Sequence, residues 1–188
     1  MKNKAYDIAA YQFSKDEPLL FDTNIWLYLF PAPSGQNPHA SVYSSALKKM
    51  QQAGVHLALD VMILSEYLNR YCRIEWKANF PQMEFKYFRS SPSFNSIGQN
   101  AAAYAHQILK LCTSYDHPFS AVNTTQILSN FAAGNQDFND ALLSDACSQR
   151  GWKLVTHDGD FTQGGIEILT ANSKMQVACN GHRSKGPD

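Results

Sequence analysis

Short apolar runs that stop at acidic residues, alternating with longer stretches of helical period, constrain this chain more than any other feature. Pro18-Leu19-Leu20-Phe21 reads as a buried strand ending at Asp22, and Val55 to Asp60 reads as a second. Lys153 to Thr156 and Ile166 to Leu169 read as two more, with Asp158 and Asp160 just behind the first of these. Phe119 to Val122 is a candidate for a further short strand. Helical spacing and stop signals mark His39 to Gln52, closed by Gly54, and Asp137 to Arg150, closed by Gly151. Leu64 to Lys77 and Asn100 to Cys112 are also helical, and Thr23 to Phe30 is an apolar, aromatic run halted by Pro31 and Pro33. Such alternation implies an α/β fold with a mostly parallel sheet of about five strands. Phe80 to Ser96 is the least regular stretch. The expectation is one domain over residues 1–171 and a loose polar tail over 172–188.

No apolar run reaches the roughly 18 residues a membrane span needs. Met1 to Glu17 holds no apolar signal core, so a cytoplasmic location is expected. Cys72, Cys112, Cys147 and Cys179 are far apart and read as independent thiols rather than a disulfide framework. The six histidines are scattered and show no zinc spacing. The net charge of +0 does not by itself recommend a nucleic-acid partner. It is a global sum, however. With four of the 16 acids gathered around metal ions, the 16 basic residues leave a formal +4 on the remaining surface.

The acids fall where strands end and helices begin: Asp22 after the first strand, Glu66 opening the helix after the second, Asp140 in the first turn of its helix, Asp158 and Asp160 after the fourth strand. In an open α/β sheet, ligands bind beyond the carboxyl ends of the strands, so these carboxylates can converge. Packed like charges repel and hold their protons unless a cation neutralises them. Mg²⁺ or Mn²⁺, which prefers oxygen ligands, does so and can activate water against a phosphodiester. Each acid alone has a plainer reading. Asp22 reads as a helix cap, Glu66 as the partner of Arg70 at i+4, Asp140 as a first-turn acid, and Asp158-Gly159 as a turn.

Taken together the segments resemble the PIN-domain nucleases. Leu20-Phe21-Asp22-Thr23-Asn24-Ile25 resembles the first motif of that family, and Leu64-Ser65-Glu66-Tyr67-Leu68 the second. Asp140-Ala141-Leu142-Leu143 resembles the third, and Leu154-Val155-Thr156-His157-Asp158-Gly159-Asp160-Phe161 the fourth. Asp140 precedes Thr156 by 16 residues, the family's usual spacing. The resemblance implies a three-layer α/β/α fold and a Mg²⁺ or Mn²⁺ nuclease, usually acting on RNA, in which water attacks the phosphodiester directly. It implies Asp22, Glu66, Asp140 and Asp158 as catalytic metal ligands, with Asp160 sharing that role. Thr23, Asn24 and Thr156 would orient ligands or water. It also raises the role of toxin in a toxin–antitoxin pair, with an antitoxin protein as partner, and a homodimer. Two departures stand out. The stretch between Glu66 and Asp140 is longer than in the compact toxin members. Asp145 occupies a position that is usually small and apolar, and reads as a paired core carboxylate, the alternative being a further acid of the site.

Glu66, Arg70, Arg73 and Lys77 fall at i, i+4, i+7 and i+11, one narrow helical stripe opposite the face of Leu64, Tyr67, Leu68, Tyr71 and Cys72. Arg70, Arg73 and Lys77 are therefore candidate phosphate contacts, the alternative being a solvated face. Trp76, Phe80, Phe85, Tyr87 and Phe88, interleaved with Lys86 and Arg89, are candidates for stacking single-stranded bases. A haloacid-dehalogenase-type phosphatase would need an Asp where Asn24 stands, which argues against it. A non-catalytic scaffold binding RNA or protein is the other reading.

Overall fold

The computed structural model describes residues 1–181. One six-stranded sheet, parallel at every pairing, organises the chain. Its strands are β1 (Lys4–Asp7), β2 (Pro18–Phe21), β3 (His56–Asp60), β4 (Thr113–Tyr115), β5 (Lys153–Val155) and β6 (Glu167–Thr170), in the order β1-β6-β5-β2-β3-β4. Leu19, Leu20, Leu154, Val155, Ile168 and Leu169 are fully buried. Strands covered on both faces read as unbroken apolar runs, and this is why β2 and β5 stand out in the sequence.

Among the described residues eight helices flank the sheet: α1 (Thr23–Leu29), α2 (Ala40–Ala53), α3 (Val61–Asn79), α4 (Phe85–Arg89), α5 (Phe94–Leu111), α6 (Thr124–Ala132), α7 (Phe138–Arg150) and α8 (Ser173–Asn180). Gly54 and Gly151 close α2 and α7 in the left-handed conformation, as their sequence positions imply. Helix α3 begins three residues earlier than its apolar period suggests. The Asp60 carboxylate accepts the Met62 N–H at 2.8 Å and caps the helix, so Glu66 sits in its second turn rather than opening it.

Three expectations are corrected. Phe119–Ala121 is a 3-10 turn, not a strand, because Pro118 enters it and Asn123 already caps α6 through the Gln126 N–H. The sheet gains β1 and β4 at its two edges, where the residues are mixed in character and only Ala5 is buried. The stretch after Asn172 is not loose over 173–180. Asn172 caps α8 through the Lys174 and Met175 N–H groups, and Met175 and Cys179 are buried. The Asn180 side chain accepts the Ala5 N–H and donates to the Ala5 carbonyl. It thereby occupies the outer hydrogen-bonding groups of edge strand β1. The rest of the expected tail, 182–188, lies outside the described residues. Among the described residues no helix is long and apolar enough to cross a membrane.

The order of strands changes direction at the β2/β5 crevice. From β2 the chain adds β3 and β4 on one side, then returns to add β5 on the other. Asp22 follows β2 and Thr156 to Asp158 follow β5, so both flank the point where such sheets bind ligands. A small separate core of Val122, Ile127, Ala141 and Leu142, backed by Met62 and Phe138, fixes the start of α7 and with it Asp140.

Candidate metal centre

Two polar residues of the first motif tie the crevice together. Thr23 is fully buried at the first position of α1, and its hydroxyl donates to Glu66 Oε2 at 3.1 Å. The Asn24 amide donates to Asp22 Oδ2 and, at 3.1 Å, to Thr156 Oγ1, while its oxygen accepts the His157 N–H at 3.1 Å. Every polar group of the Asn24 side chain is thus engaged. The Thr156 hydroxyl donates to Asp22 Oδ2 at 2.7 Å and accepts the Asp158 N–H at 3.0 Å. Both side-chain donors go to Oδ2 of Asp22, which leaves Oδ1 the freer oxygen. Thr23, Asn24 and Thr156 thus hold the Glu66 and Asp22 carboxylates by direct hydrogen bonds.

The charges of Glu66 and Asp158 reach the two more buried acids, Asp22 and Asp140. Asp22 is only 6% exposed. Burial pushes its carboxyl up to about 6, against the Thr156 hydrogen bond, and the charges of Glu66 and Asp158 add to the rise. Burial raises Asp140 to about 7, reinforced by Asp22, Asp158, Asp137 and Glu66. No side chain among the described residues hydrogen-bonds the Asp140 carboxylate, so nothing local offsets those charges. Asp158 is exposed at the rim, and its Oδ1 accepts the Asp160 N–H at 3.0 Å, so it also makes the turn that its sequence allows. Asp160 is exposed. Asp145 corrects an expectation: it is half-buried rather than in the core, and it accepts the Gln149 amide at 2.5 Å along the exposed side of α7.

Among the described residues no three of these side chains stand as a ready-made metal cage. The donor set nonetheless suits a hard divalent cation. It is all oxygen, and its two inner carboxyls are held above their ordinary range by burial and like charge, the situation a cation relieves.

The raised values have a signed consequence for metal-free protein. In the unfolded chain both acids ionise near their ordinary pKa, while in the fold they keep their protons to about 6 and about 7. Between those limits the folded state binds more protons. Stability therefore falls as pH rises through this window, and the full cost is present above it.

Sequence reading missed an aromatic wall beside the acids. Tyr28 lies near enough to Asp22, Asp158 and Arg70 for their charges to act on its hydroxyl, which burial raises. It stacks on Tyr43 with ring centroids 5.7 Å apart, and His39 stacks on His157 at 3.8 Å. Tyr43 holds His157 in place, its hydroxyl 2.9 Å from Nδ1. Aromatic residues in α1 and α2 read as core, and nothing in their spacing shows that Tyr28 stays partly open.

The basic stripe is exposed along α3. Arg70 pairs with Glu66 at 3.3 Å and, with Asn24 and Tyr28, lines a groove of about 280 Å³. The Arg73 guanidinium lies over the Phe85 ring, 4.2 Å from its centroid. The aromatic series is corrected in part. Phe88 is fully buried, packed by Phe80, Phe85 and Phe94, and Trp76 packs on Phe85 and donates to the Met83 carbonyl. These rings anchor α4, and Tyr87 alone of the five is largely exposed.

No family model matches the chain, and no curated protein matches it. Among solved structures it is similar to the one titled "Crystal structure of PAE2754 from Pyrobaculum aerophilum", at 15% identity and a TM-score of 0.47, over 92% of this chain and 95% of that one. A likeness at that level carries no weight for the chemistry of the site.

Proposed function

We propose that the chain is a Mg²⁺- or Mn²⁺-dependent endoribonuclease. The observation that carries this reading is the crevice at the β2/β5 switch point. There Asp22, Glu66, Asp140 and Asp158 come from four separate segments, and the charges of Glu66 and Asp158 press on the ionisation of both Asp22 and Asp140. The resemblance of those four segments to PIN-domain motifs supports the same reading. A bound cation would supply an activated water and neutralise charge on the phosphodiester. Asp22, Glu66 and Asp140 would hold it, with Asp158 at the rim. Asn24 and Thr156 fix the Asp22 carboxylate through Oδ2 and so aim Oδ1. Thr23 holds Glu66, and Arg70 offsets its charge. Arg70, Arg73 and Lys77 would receive phosphates leading to the site.

The test is incubation with structured and unstructured RNAs and a DNA strand, in Mn²⁺, in Mg²⁺ and in EDTA. Cleavage of RNA in either metal and none in EDTA is expected. Cleavage that persists in EDTA would reject the mechanism. Co-expression with the product of a small neighbouring gene would test the toxin role, through loss of cleavage in the complex.

A further inference from the structure

A trough between α3, α4 and α5 lies outside the acidic crevice and has two distinct halves. One is an open cleft of about 600 Å³ lined by Asn69, Arg73, Phe85, Lys86, Arg89 and Ser90. It presents three cations and no acid. Among the described residues none of these cations pairs with a carboxylate. Three like charges in one cleft repel, and an anion that entered would relieve them. The cation–π contact with Phe85 already fixes the Arg73 guanidinium.

The other half is a slot of about 380 Å³ that shares Asn69, Phe85 and Arg89 with the first. Its walls are apolar, from Leu68 and Cys72 on α3 and Phe94 on α5. Asn95 and Gln99 bring side-chain amides to it from the same helix. Gly98 keeps the slot shaped. A Cβ there would stand 2.9 Å from Phe94 Cε1, so any other residue would push the ring out of position.

An apolar slot with amides at its rim, opening onto a cluster of cations, matches the two ends of a nucleotide. We propose that this trough is a subsite for one nucleotide of a single-stranded nucleic acid. Its phosphate would sit on Arg73, Lys86 and Arg89, and its base between Leu68, Cys72 and Phe94. The slot accepts a flat apolar face, and amides can donate to and accept from base edges. A duplex is excluded, because its bases are stacked and paired and cannot enter a slot singly. Arg73 belongs both to this trough and to the α3 stripe that starts at Glu66, so one strand can run from the trough to the acids. That the nucleotide comes from a strand rests on the reading of the chain as a nuclease. Occupancy of the trough does not.

The test uses fluorescent hexauridylate and, separately, UMP, with Asp22→Asn protein in EDTA, so that no cleavage is required. Anisotropy is read over a range of salt. Lys86→Ala/Arg89→Ala is expected to weaken hexauridylate binding about tenfold. It should also flatten the log–log salt slope by about 0.7, the value for one phosphate of a single strand that is no longer neutralised. Asn95→Leu/Gln99→Leu should weaken binding with the slope unchanged. UMP should bind far more weakly than the hexamer. Lys4→Ala/Lys15→Ala removes two charges at the amino ends of β1 and β2 and serves as control. Unaltered binding in both trough variants, or an equal loss in the control, would overturn the proposal. UMP binding as tight as the hexamer's would overturn the strand assignment. A failed nuclease reading would appear elsewhere, as no cleavage in any metal.

Discussion

Replacing Asp22 by Asn is expected to slow RNA cleavage by about a thousandfold and to make the metal-free protein more stable. Groups that merely orient a metal ligand already contribute about 10–100-fold, so loss of a ligand should cost more. The substitution keeps the side chain's size and removes a charge that the fold buries almost completely. Burial has moved that carboxyl from 3.8 to about 6. Ionising it in the fold at pH 8 therefore costs about 3 kcal/mol relative to the unfolded chain. The amide carries no such cost, although it loses part of the hydrogen bonding with Asn24 and Thr156. A net gain of about 1–3 kcal/mol is expected. Because the unfolded chain ionises first, the gain should be absent at pH below about 4, grow to about pH 6 and then level off. Thermal unfolding against pH, beside cleavage assays on the same highly purified sample, reads both effects. Undiminished cleavage would remove Asp22 from the mechanism. Equal stability at high pH would remove the electrostatic account of its burial.

The second large effect lies one strand away. Asp60 ends β3 with 2% of its surface exposed, caps α3 through the Met62 N–H and meets His117 Nδ1 at 2.7 Å. His117 is itself buried, and its Nε2 has no partner among the described residues. Asp60→Ala would therefore remove a helix cap and leave both ring nitrogens of a buried imidazole unpaired. The cap is worth about 0.5–2 kcal/mol and the orphaned group about 1–3. A loss of about 2–4 kcal/mol follows, or roughly 5–15 °C in Tm for a chain of this size. Asp60→Asn, which can still accept the Met62 N–H, should lose less. Helix α3 carries Glu66, so its first turn also aims a proposed ligand. If Asp60→Ala melts with the unsubstituted protein, the β3–α3 corner is not held by this residue.

The contrast between these two aspartates shows what the sequence could and could not reveal. Both follow apolar strands and precede helices. Nothing local marks Asp22 as a partner of distant acids and Asp60 as a structural cap facing His117. The central strands and their glycine-stopped helices were legible because burial on both faces imposes an unbroken apolar run. The edges were not. Strand β1 depends on Asn180, 175 residues away from Ala5, and α8 buries only Met175 and Cys179 while its Val177 stays exposed, so no clean apolar period marks it. Helix α6 has a single buried residue, Ile127, and its existence could not be read from a period. Around the acids, Asn24 and Thr156 were legible as polar residues beside Asp22 and Asp158. The wall of Tyr28, His39 and His157 was not, because a partly open aromatic residue and a core one look alike in sequence. The stripe on α3 was visible from spacing alone, but the trough beside it needed α4 and α5 to be placed.

The convergence of the four carboxylates on a shared cation is tested most directly by thermal unfolding in EDTA and in millimolar Mn²⁺, from about pH 5 to about pH 8. In EDTA the Tm should fall as pH rises, because Asp22 and Asp140 are forced to ionise in the fold. With Mn²⁺ it should rise instead, since the cation binds the ionised form, and the gap between the two curves should be widest at the alkaline end. Asp22→Asn and Asp140→Asn should each lose most of that gap. An Mn²⁺ curve that lies on the EDTA curve at about pH 8, or a gap of the same size in all three proteins, would contradict a metal centre built from these residues.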